Sequence, residues 1–152
     1  EGANIYDHFS VVYEYPDQVF CTMNSRQQPN TDGENADYIR GSKGACIIKG
    51  GNCSITGENK WRFRGEDTID MYTNEHVELF KSIRAGQVLN DGEWMCHSTL
   101  LAIMGRMAAY TGKRVTWEAL MNSTDDLAPD DLAWNSSFTP NAMPMPGQTA
   151  LK

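Results

Sequence analysis

The hydrophobic periodicity of this chain changes once, near residue 65, and this change constrains the fold more than any other feature of the sequence. Before that point, short apolar runs alternate with polar residues at a spacing of two, which is typical of β-strands. After it, apolar residues recur at the helical spacing of about 3.6 residues. Strands that precede helices, rather than alternating with them, favour an α+β fold: an open antiparallel β-sheet with helices packed on one face.

Six short strands are predicted before the change of period. In the first, Phe9, Val11, Tyr13 and Tyr15 alternate with mostly polar neighbours, so that one face of the strand is apolar. A tight turn at Pro16 joins this strand to the second as an antiparallel hairpin. The predicted strands cover residues 5–15, 19–26, 38–40, 45–48, 54–56 and 61–64.

Three helices are predicted after the change of period. An apolar stripe indicates the first helix, and Gly86 ends it. The spacing of Asn90 and Glu93 is that of a capping box, which opens a second helix that ends at Gly112. The second helix carries a stripe of small residues through Gly105, which would let it lie close to a sheet. The predicted helices cover about residues 72–85, 90–111 and 116–122.

The chain length of 152 residues favours a single domain with one core. We expect residues 1–122 to form this sheet-plus-helices domain. Residues 123–152 are rich in proline, which predicts an extended C-terminal tail that packs on the same domain.

The charge balance excludes some classes of partner. The net charge is −7, so a nucleic acid or an anionic membrane would be repelled over most of the surface. No apolar run approaches the roughly 20 residues needed to span a bilayer.

The cysteines give no metal or redox motif. None of the four forms a C-x-x-C pair. Cys46 and Cys53 flank a turn and could face each other across a hairpin, although four reduced and mostly buried thiols are the preferred interpretation.

No cofactor motif or catalytic motif is present. The glycine pairs Gly41 with Gly44 and Gly50 with Gly51 lack the G-x-G-x-x-G spacing and open no predicted helix, so we interpret them as hairpin turns. A P-loop, a G-x-S-x-G elbow and an H-E-x-x-H pair are also absent. The chain therefore holds no Rossmann domain, and we assign no catalytic, cofactor-binding or metal-binding residue.

The residues at the ends of the first two strands are candidates for binding a substrate. His8 lies on the face opposite the aromatic residues, and Arg26 and Gln28 end the second strand with donors that suit the hydroxyls or carboxylate of a sugar-like ligand. The same residues also suit a solvated strand end, and this alternative stays open.

The other two histidines are interpreted as structural. His76 lies on the apolar face of its helix, which predicts a core or interface histidine. Glu93 and His97 are four residues apart and could share a metal ion, but two ligands do not make a site, so we interpret them as an exposed pair.

The order of motifs along the chain resembles the C-terminal domain of the Gfo/Idh/MocA family (glucose–fructose oxidoreductase and inositol dehydrogenase), especially its Planctomycetes and Bacteroidetes branch. The likeness extends from about Asn4 to Gly147. The segments that carry it are N-I-Y-D-H-F at 4–9, V-Y-E-Y-P-D at 12–17, R-Q-Q at 26–28, the F-x-S-I-R-A-G segment at 80–86, N-D-G-E at 90–93 and I-M-G-R-M-A-A-Y-T-G at 103–112.

The resemblance implies the substrate and oligomerisation domain of an NAD(P)-dependent oxidoreductase that acts on a sugar, an inositol or a related polyol. In the family, a separate N-terminal Rossmann domain holds the NAD or NADP and a catalytic E-K-P lysine, and a D-x-x-x-H pair precedes the sheet. Neither motif occurs here. We therefore expect a fragment that is inactive alone, whose partners are the missing Rossmann domain, a sugar-like substrate and further copies of the chain. The parent protein could be cytoplasmic or exported to a bacterial periplasm.

An alternative interpretation is a free-standing, non-enzymatic binding or oligomerisation module with the same fold, because fold does not fix function. The two hypotheses differ in whether the parent protein contains a Rossmann domain.

Overall fold

A computed structural model describes residues 4–65, 69–129, 133–136 and 139–152. Within these residues it contains six β-strands and three α-helices, which confirms the α+β class, but the strands form two antiparallel sheets rather than the single predicted sheet. The chain forms two compact units. The hairpin–helix unit comprises Glu1–Asn30 and Asp91–Lys152, and the sheet unit comprises Thr31–Asn90. The predicted division at residue 122 stays a prediction.

The first two strands form a hairpin, as the sequence predicts. Strand β1 (His8–Tyr15) pairs with β2 (Val19–Arg26) in antiparallel register. Asp17 and Gln18 in the connecting turn both have φ of 59°, the left-handed conformation that matches the twist of a tight hairpin.

One face of the hairpin packs on helix α2 (Gly92–Thr111). Val11 is buried, and the Tyr13 hydroxyl donates a 2.9 Å hydrogen bond to the Leu101 carbonyl. Gly105 lies directly against the Tyr13 ring and Val11. The small residue in the α2 stripe therefore allows helix and strand to approach closely.

The apolar core of the hairpin–helix unit lies between α2 and helix α3 (Trp117–Met121). Its buried members are Met107, Val115 and Leu120. Residues near the end of the chain reach the same unit: the Tyr6 hydroxyl donates to the Pro144 carbonyl at 2.6 Å, and the Gly147 amide donates to the Thr111 carbonyl at 2.8 Å.

The sheet unit holds four antiparallel strands in sequential order. They are β3 (Ala36–Gly41), β4 (Gly44–Lys49), β5 (Asn52–Gly57) and β6 (Trp61–Arg62). Their register places Ile39, Cys46, Ile55 and Trp61 opposite one another across the sheet. Residues that are directly opposite share a face, so one face of this sheet is an apolar stripe. We call Ile39, Cys46, Ile48, Cys53, Ile55 and Trp61 the apolar sheet face.

The cysteines differ in two respects from the prediction. Cys46 lies opposite Ile55 and Cys53 lies opposite Ile48, so the two thiols are diagonal neighbours rather than a facing pair. The expectation of mostly buried thiols is wrong, because Cys21 and Cys96 are exposed and the other two are half-buried.

Helix α1 (Met71–Ala85) begins and ends as its sequence dictates. Asp70 caps its N-terminus by accepting hydrogen bonds from the Tyr72 and Thr73 amides, each at 3.1 Å. Gly86 ends it at φ of 66°. The apolar stripe that predicts this helix is exposed, with Phe80 and Ile83 showing 51% and 62% of their surface.

Helix α2 begins one residue later than the capping box predicts. Its N-cap is Asp91, whose side chain makes no capping hydrogen bond. The prediction of a box opened by Asn90 is therefore wrong, while the predicted end at Gly112 is confirmed. No helix in the described part of the chain has the length and hydropathy needed to cross a membrane.

Candidate functional site

The open end of the β1–β2 hairpin brings together the three residues that the sequence predicts for substrate binding. His8 and Arg26 are the first cross-strand pair of the register, so they lie opposite each other on the same face. Gln28 follows two residues after the end of β2, and its amide reaches back to Asp7.

Asp7 is the centre of this cluster. Its carboxylate lies 2.7 Å from His8 Nδ1 through one oxygen and accepts a 3.2 Å hydrogen bond from the Gln28 amide through the other. Its carbonyl also accepts from the Gln27 amide at 2.7 Å. The hydrogen bond from His8, and then that from Gln28, lower the pKa of Asp7 below its ordinary value, so the carboxylate is charged at neutral pH.

The carboxylate also orients the imidazole. When Nδ1 carries the proton and donates to Asp7, Nε2 remains as an acceptor for a hydroxyl. The side chains of His8 and Asp7 are 69% and 56% exposed, so water screens this pair and leaves it open to a ligand. We call Asp7, His8, Arg26 and Gln28 the hairpin-end cluster.

The structure resolves which face of the hairpin carries the cluster. The aromatic face turns toward α2 through Tyr13, as described above. Every residue of the opposite face is exposed, and most are polar. From the cluster toward the turn these residues are His8, Ser10, Val12 and Glu14 on β1, and Arg26, Asn24, Thr22 and Phe20 on β2. A row of hydroxyl, amide and charged groups on a rigid hairpin can bind a polyhydroxylated molecule through several hydrogen bonds.

Sequence reasoning does not assign Asp7 to the site. The signal that could have found it is the hairpin register itself. Once His8 is paired with Arg26, the residue before His8 must lie beside the residues that follow β2.

The other two histidines are not members of this cluster. The core interpretation of His76 is wrong: its side chain is 63% exposed, and Nδ1 lies 2.7 Å from the carbonyl of Tyr72 in the preceding helical turn. Glu93 and His97 are exposed on α2. The centroids of the His97 and Trp117 rings are 5.4 Å apart, and the two rings are nearly perpendicular. Within the described residues, no three His, Cys, Asp or Glu side chains are grouped as a metal ion would require.

The described glycine turns lack the strand-to-helix arrangement of a dinucleotide-binding fold. Gly41 and Gly44 lie at the β3–β4 turn, and Gly50 and Gly51 lie at the β4–β5 turn, so neither pair leads from a strand into a helix. The N-terminus of α2 begins with Asp91 and Glu93, whose negative charges oppose a phosphate.

No protein-family model matches this chain, and no curated protein or solved structure is significantly similar to it.

Proposed function

We propose that this chain is the substrate-side and assembly domain of an NAD(P)-dependent oxidoreductase of the Gfo/Idh/MocA type, acting on a sugar, an inositol or a related polyol. NAD or NADP binds to a Rossmann domain outside this sequence, and the chain alone is inactive.

The observation that carries the substrate side of the proposal is the hairpin-end cluster. Asp7 contacts His8 and Gln28, two of the residues chosen from the sequence for sugar-like chemistry, and Arg26 is the cross-strand neighbour of His8. The cluster offers the donors and acceptors that polyol hydroxyls require: a carboxylate, an imidazole, a guanidinium and an amide. In the proposal these groups orient the substrate, and hydride transfer takes place at the separate cofactor domain.

The assembly role is supported by the apolar sheet face. Ile39, Ile55 and Trp61 on this face are 57%, 39% and 53% exposed. A contiguous exposed apolar stripe of this kind marks an interaction surface more often than a solvated one. It favours a protein that functions with further copies or domains packed against it.

The substrate side is tested by NMR titration of the chain with myo-inositol, D-glucose and D-gluconate. We expect saturable amide shifts confined to residues 7–10 and 24–28. His8→Ala and Arg26→Gln should each weaken the binding at least about fivefold, as the loss of one hydrogen-bonded contact to a polar ligand implies. Arg62→Gln, on the other sheet, is the matched control and should leave the affinity unchanged. Shifts that never saturate, or that His8→Ala does not alter, would contradict the substrate assignment.

The domain assignment is tested by the mass of the protein isolated from its source. A parent about 25–35 kDa heavier than the 17.0 kDa of this chain, with a nicotinamide cofactor bound, is the expected result. A parent of the same mass as this chain would instead support the non-enzymatic binding module.

A further inference from the structure

The hairpin–helix unit also contains a mostly apolar groove, whose lining includes none of the residues of the hairpin-end cluster. It lies between the hairpin and α2, extends to the start of α3, and encloses about 720 Å³. This volume is within the range of about 300–1,000 Å³ that is typical of small-molecule sites. Its floor is apolar and includes Val11, Leu101 and Gly105.

Aromatic side chains line the groove and remain open to solvent. Tyr15 and Trp117 are 42% and 39% exposed. Covering such side chains is favourable by about 25 cal/mol per Å² of apolar surface removed from water. The groove is therefore suited to the apolar body of a ligand.

The charged residues that line the groove leave one cation uncompensated. Arg114 Nη1 lies 3.5 Å from Glu14 Oε2, and both residues line the groove. Lys113, the neighbouring residue, also lines the groove, and its ammonium forms no ion pair with any described residue. The groove lining therefore has a net positive charge, whereas the whole chain has a net charge of −7.

We propose that this groove binds a small amphiphilic carboxylate, whose apolar body lies over Val11, Gly105 and Trp117 and whose carboxylate pairs with Lys113. An apolar floor alone would accept any hydrophobic molecule. Lys113 is exposed and lines the groove, so its ammonium favours a molecule with one anionic end, with which it can form a charge-assisted hydrogen bond. The proposal does not depend on the polyol site.

The proposal is tested with a matched pair of ligands, 4-phenylbutyrate and 4-phenylbutan-1-ol, which share an apolar body and differ in the anionic end. Binding is followed by amide shifts at Gly105 and Lys113 and by the indole resonance of Trp117. We expect the carboxylate to bind about fivefold more tightly than the alcohol, a ratio that corresponds to about 1 kcal/mol. Lys113→Gln should abolish this preference and leave the binding of the alcohol unchanged.

Two control variants keep the test specific. Lys43→Gln removes a lysine of the sheet unit that lies 3.9 Å from Glu58, and it should not alter either affinity. Ala109→Leu places a larger side chain in the groove and should weaken both ligands, with circular dichroism and the thermal midpoint confirming that the variant is folded.

Three results would overturn the proposal. In the first, Lys113→Gln binds the carboxylate as tightly as the native chain. In the second, the shifts spread over the exposed apolar residues of 31–90 instead of saturating at Gly105 and Trp117. In the third, the Gly105 resonance moves on dilution without ligand, which would show that a second copy of the chain occupies the groove.

Discussion

The Tyr13 hydroxyl occupies the space that a β-carbon at Gly105 would need, and the Val11 side chain lies 3.7 Å from the same point. Tyr13 cannot retreat without breaking its hydrogen bond to the Leu101 carbonyl. We therefore expect Gly105→Ala to reduce the free energy of unfolding by about 1–3 kcal/mol, the usual cost of overpacking. Urea denaturation measures this loss.

The same contact predicts a coupling between the two positions. Tyr13→Phe removes the hydroxyl and one hydrogen bond, at a cost of about 1 kcal/mol. Because the hydroxyl is also the group that the new methyl group of Gly105→Ala would strike, the double variant should be more stable than the sum of the two single losses predicts. Gly33→Ala, where the new methyl group meets nothing within 4 Å, is the control and should change stability little. Strict additivity would show that Tyr13 and Gly105 are not in contact.

The hairpin was predictable from sequence, but the face that packs on α2 was not. Alternation and the turn at Pro16 predict the pairing of β1 with β2 and the bounds of β2, whereas β1 begins at His8 and not at residue 5 as predicted. Both faces, however, carry large apolar residues: Tyr13 on one and Phe20 on the other. The choice between them depends on Gly105, a residue about 90 positions away that fits only against the Tyr13 face.

The candidate site was predictable only in part, for a similar reason. Residue chemistry selects His8, Arg26 and Gln28, because imidazole, guanidinium and amide groups suit polar ligands. The position of Asp7 between His8 and Gln28 depends on how the chain leaves the strands, which local sequence patterns do not specify. The prediction that His76 is a core residue failed for another reason. Helical periodicity places His76 on the apolar face of α1, but it does not show whether another element covers that face, and the side chain is exposed.

Burial of Tyr13 predicts a dependence of stability on pH at the alkaline end. Desolvation raises the pKa of the Tyr13 phenol above its ordinary value in the folded chain. The unfolded chain therefore loses this proton at a lower pH than the folded chain does, and folding is opposed once the pH exceeds the unfolded value. The stability that the neutral Tyr13 phenol gives the folded chain is fully present below about pH 10, and it is lost as the pH rises through the folded pKa of Tyr13.

The measurement is urea denaturation between pH 8 and 11 on the native chain and on Tyr13→Phe, which lacks the ionisable group. We expect the native chain to lose more stability than the variant over this interval. Absorbance at 295 nm, compared between the two proteins, assigns the late-titrating phenol among the six tyrosines. Parallel stability curves for the two proteins would refute a role for Tyr13.

The two aspartates that precede α1 and α2 differ in what they do. A hydrogen bond with the Thr73 side chain, and then those from the Thr73 and Tyr72 amides, lower the pKa of Asp70, whereas the Asp91 side chain makes no capping bond. We therefore expect Asp70→Ala to fray the first turn of α1 and to speed amide hydrogen exchange at Tyr72 and Thr73. Asp91→Ala should leave the exchange rates of the first turn of α2 unchanged.

The Asp70 cap also makes the stability of the first turn of α1 depend on pH. The pKa of Asp70 is lowered in the folded chain. The stability that the charged carboxylate gives to α1 is therefore present above the ordinary aspartate pKa and is lost as the pH falls through the folded pKa. Exchange at Tyr72 should therefore accelerate in acid, relative to the intrinsic rate, in the native chain but not in Asp70→Asn. Equal behaviour of the two proteins would show that the carboxylate does not cap the helix.

Gly86 and Gly112 end α1 and α2 in the same left-handed conformation, with φ of 66° and 67°, but their surroundings differ. A β-carbon at Gly86 would meet nothing within 4 Å, whereas one at Gly112 would lie 2.9 Å from the Pro146 side chain and 3.1 Å from the Gly147 amide. Alanine at either position costs about 1–2 kcal/mol for the left-handed backbone. At Gly112 it must also displace the residues of 146–147, which the Gly147 amide ties to Thr111 by a hydrogen bond.

We therefore expect Gly112→Ala to reduce the free energy of unfolding by about 1 kcal/mol more than Gly86→Ala does, the added cost being that of an overpacked contact. Urea denaturation gives both losses. Hydrogen exchange at Gly147 should also accelerate in Gly112→Ala and not in Gly86→Ala, because only the first substitution pushes on the end of the chain. If the two variants lose the same stability and Gly147 exchanges at its native rate in both, then residues 146–147 do not pack against the end of α2.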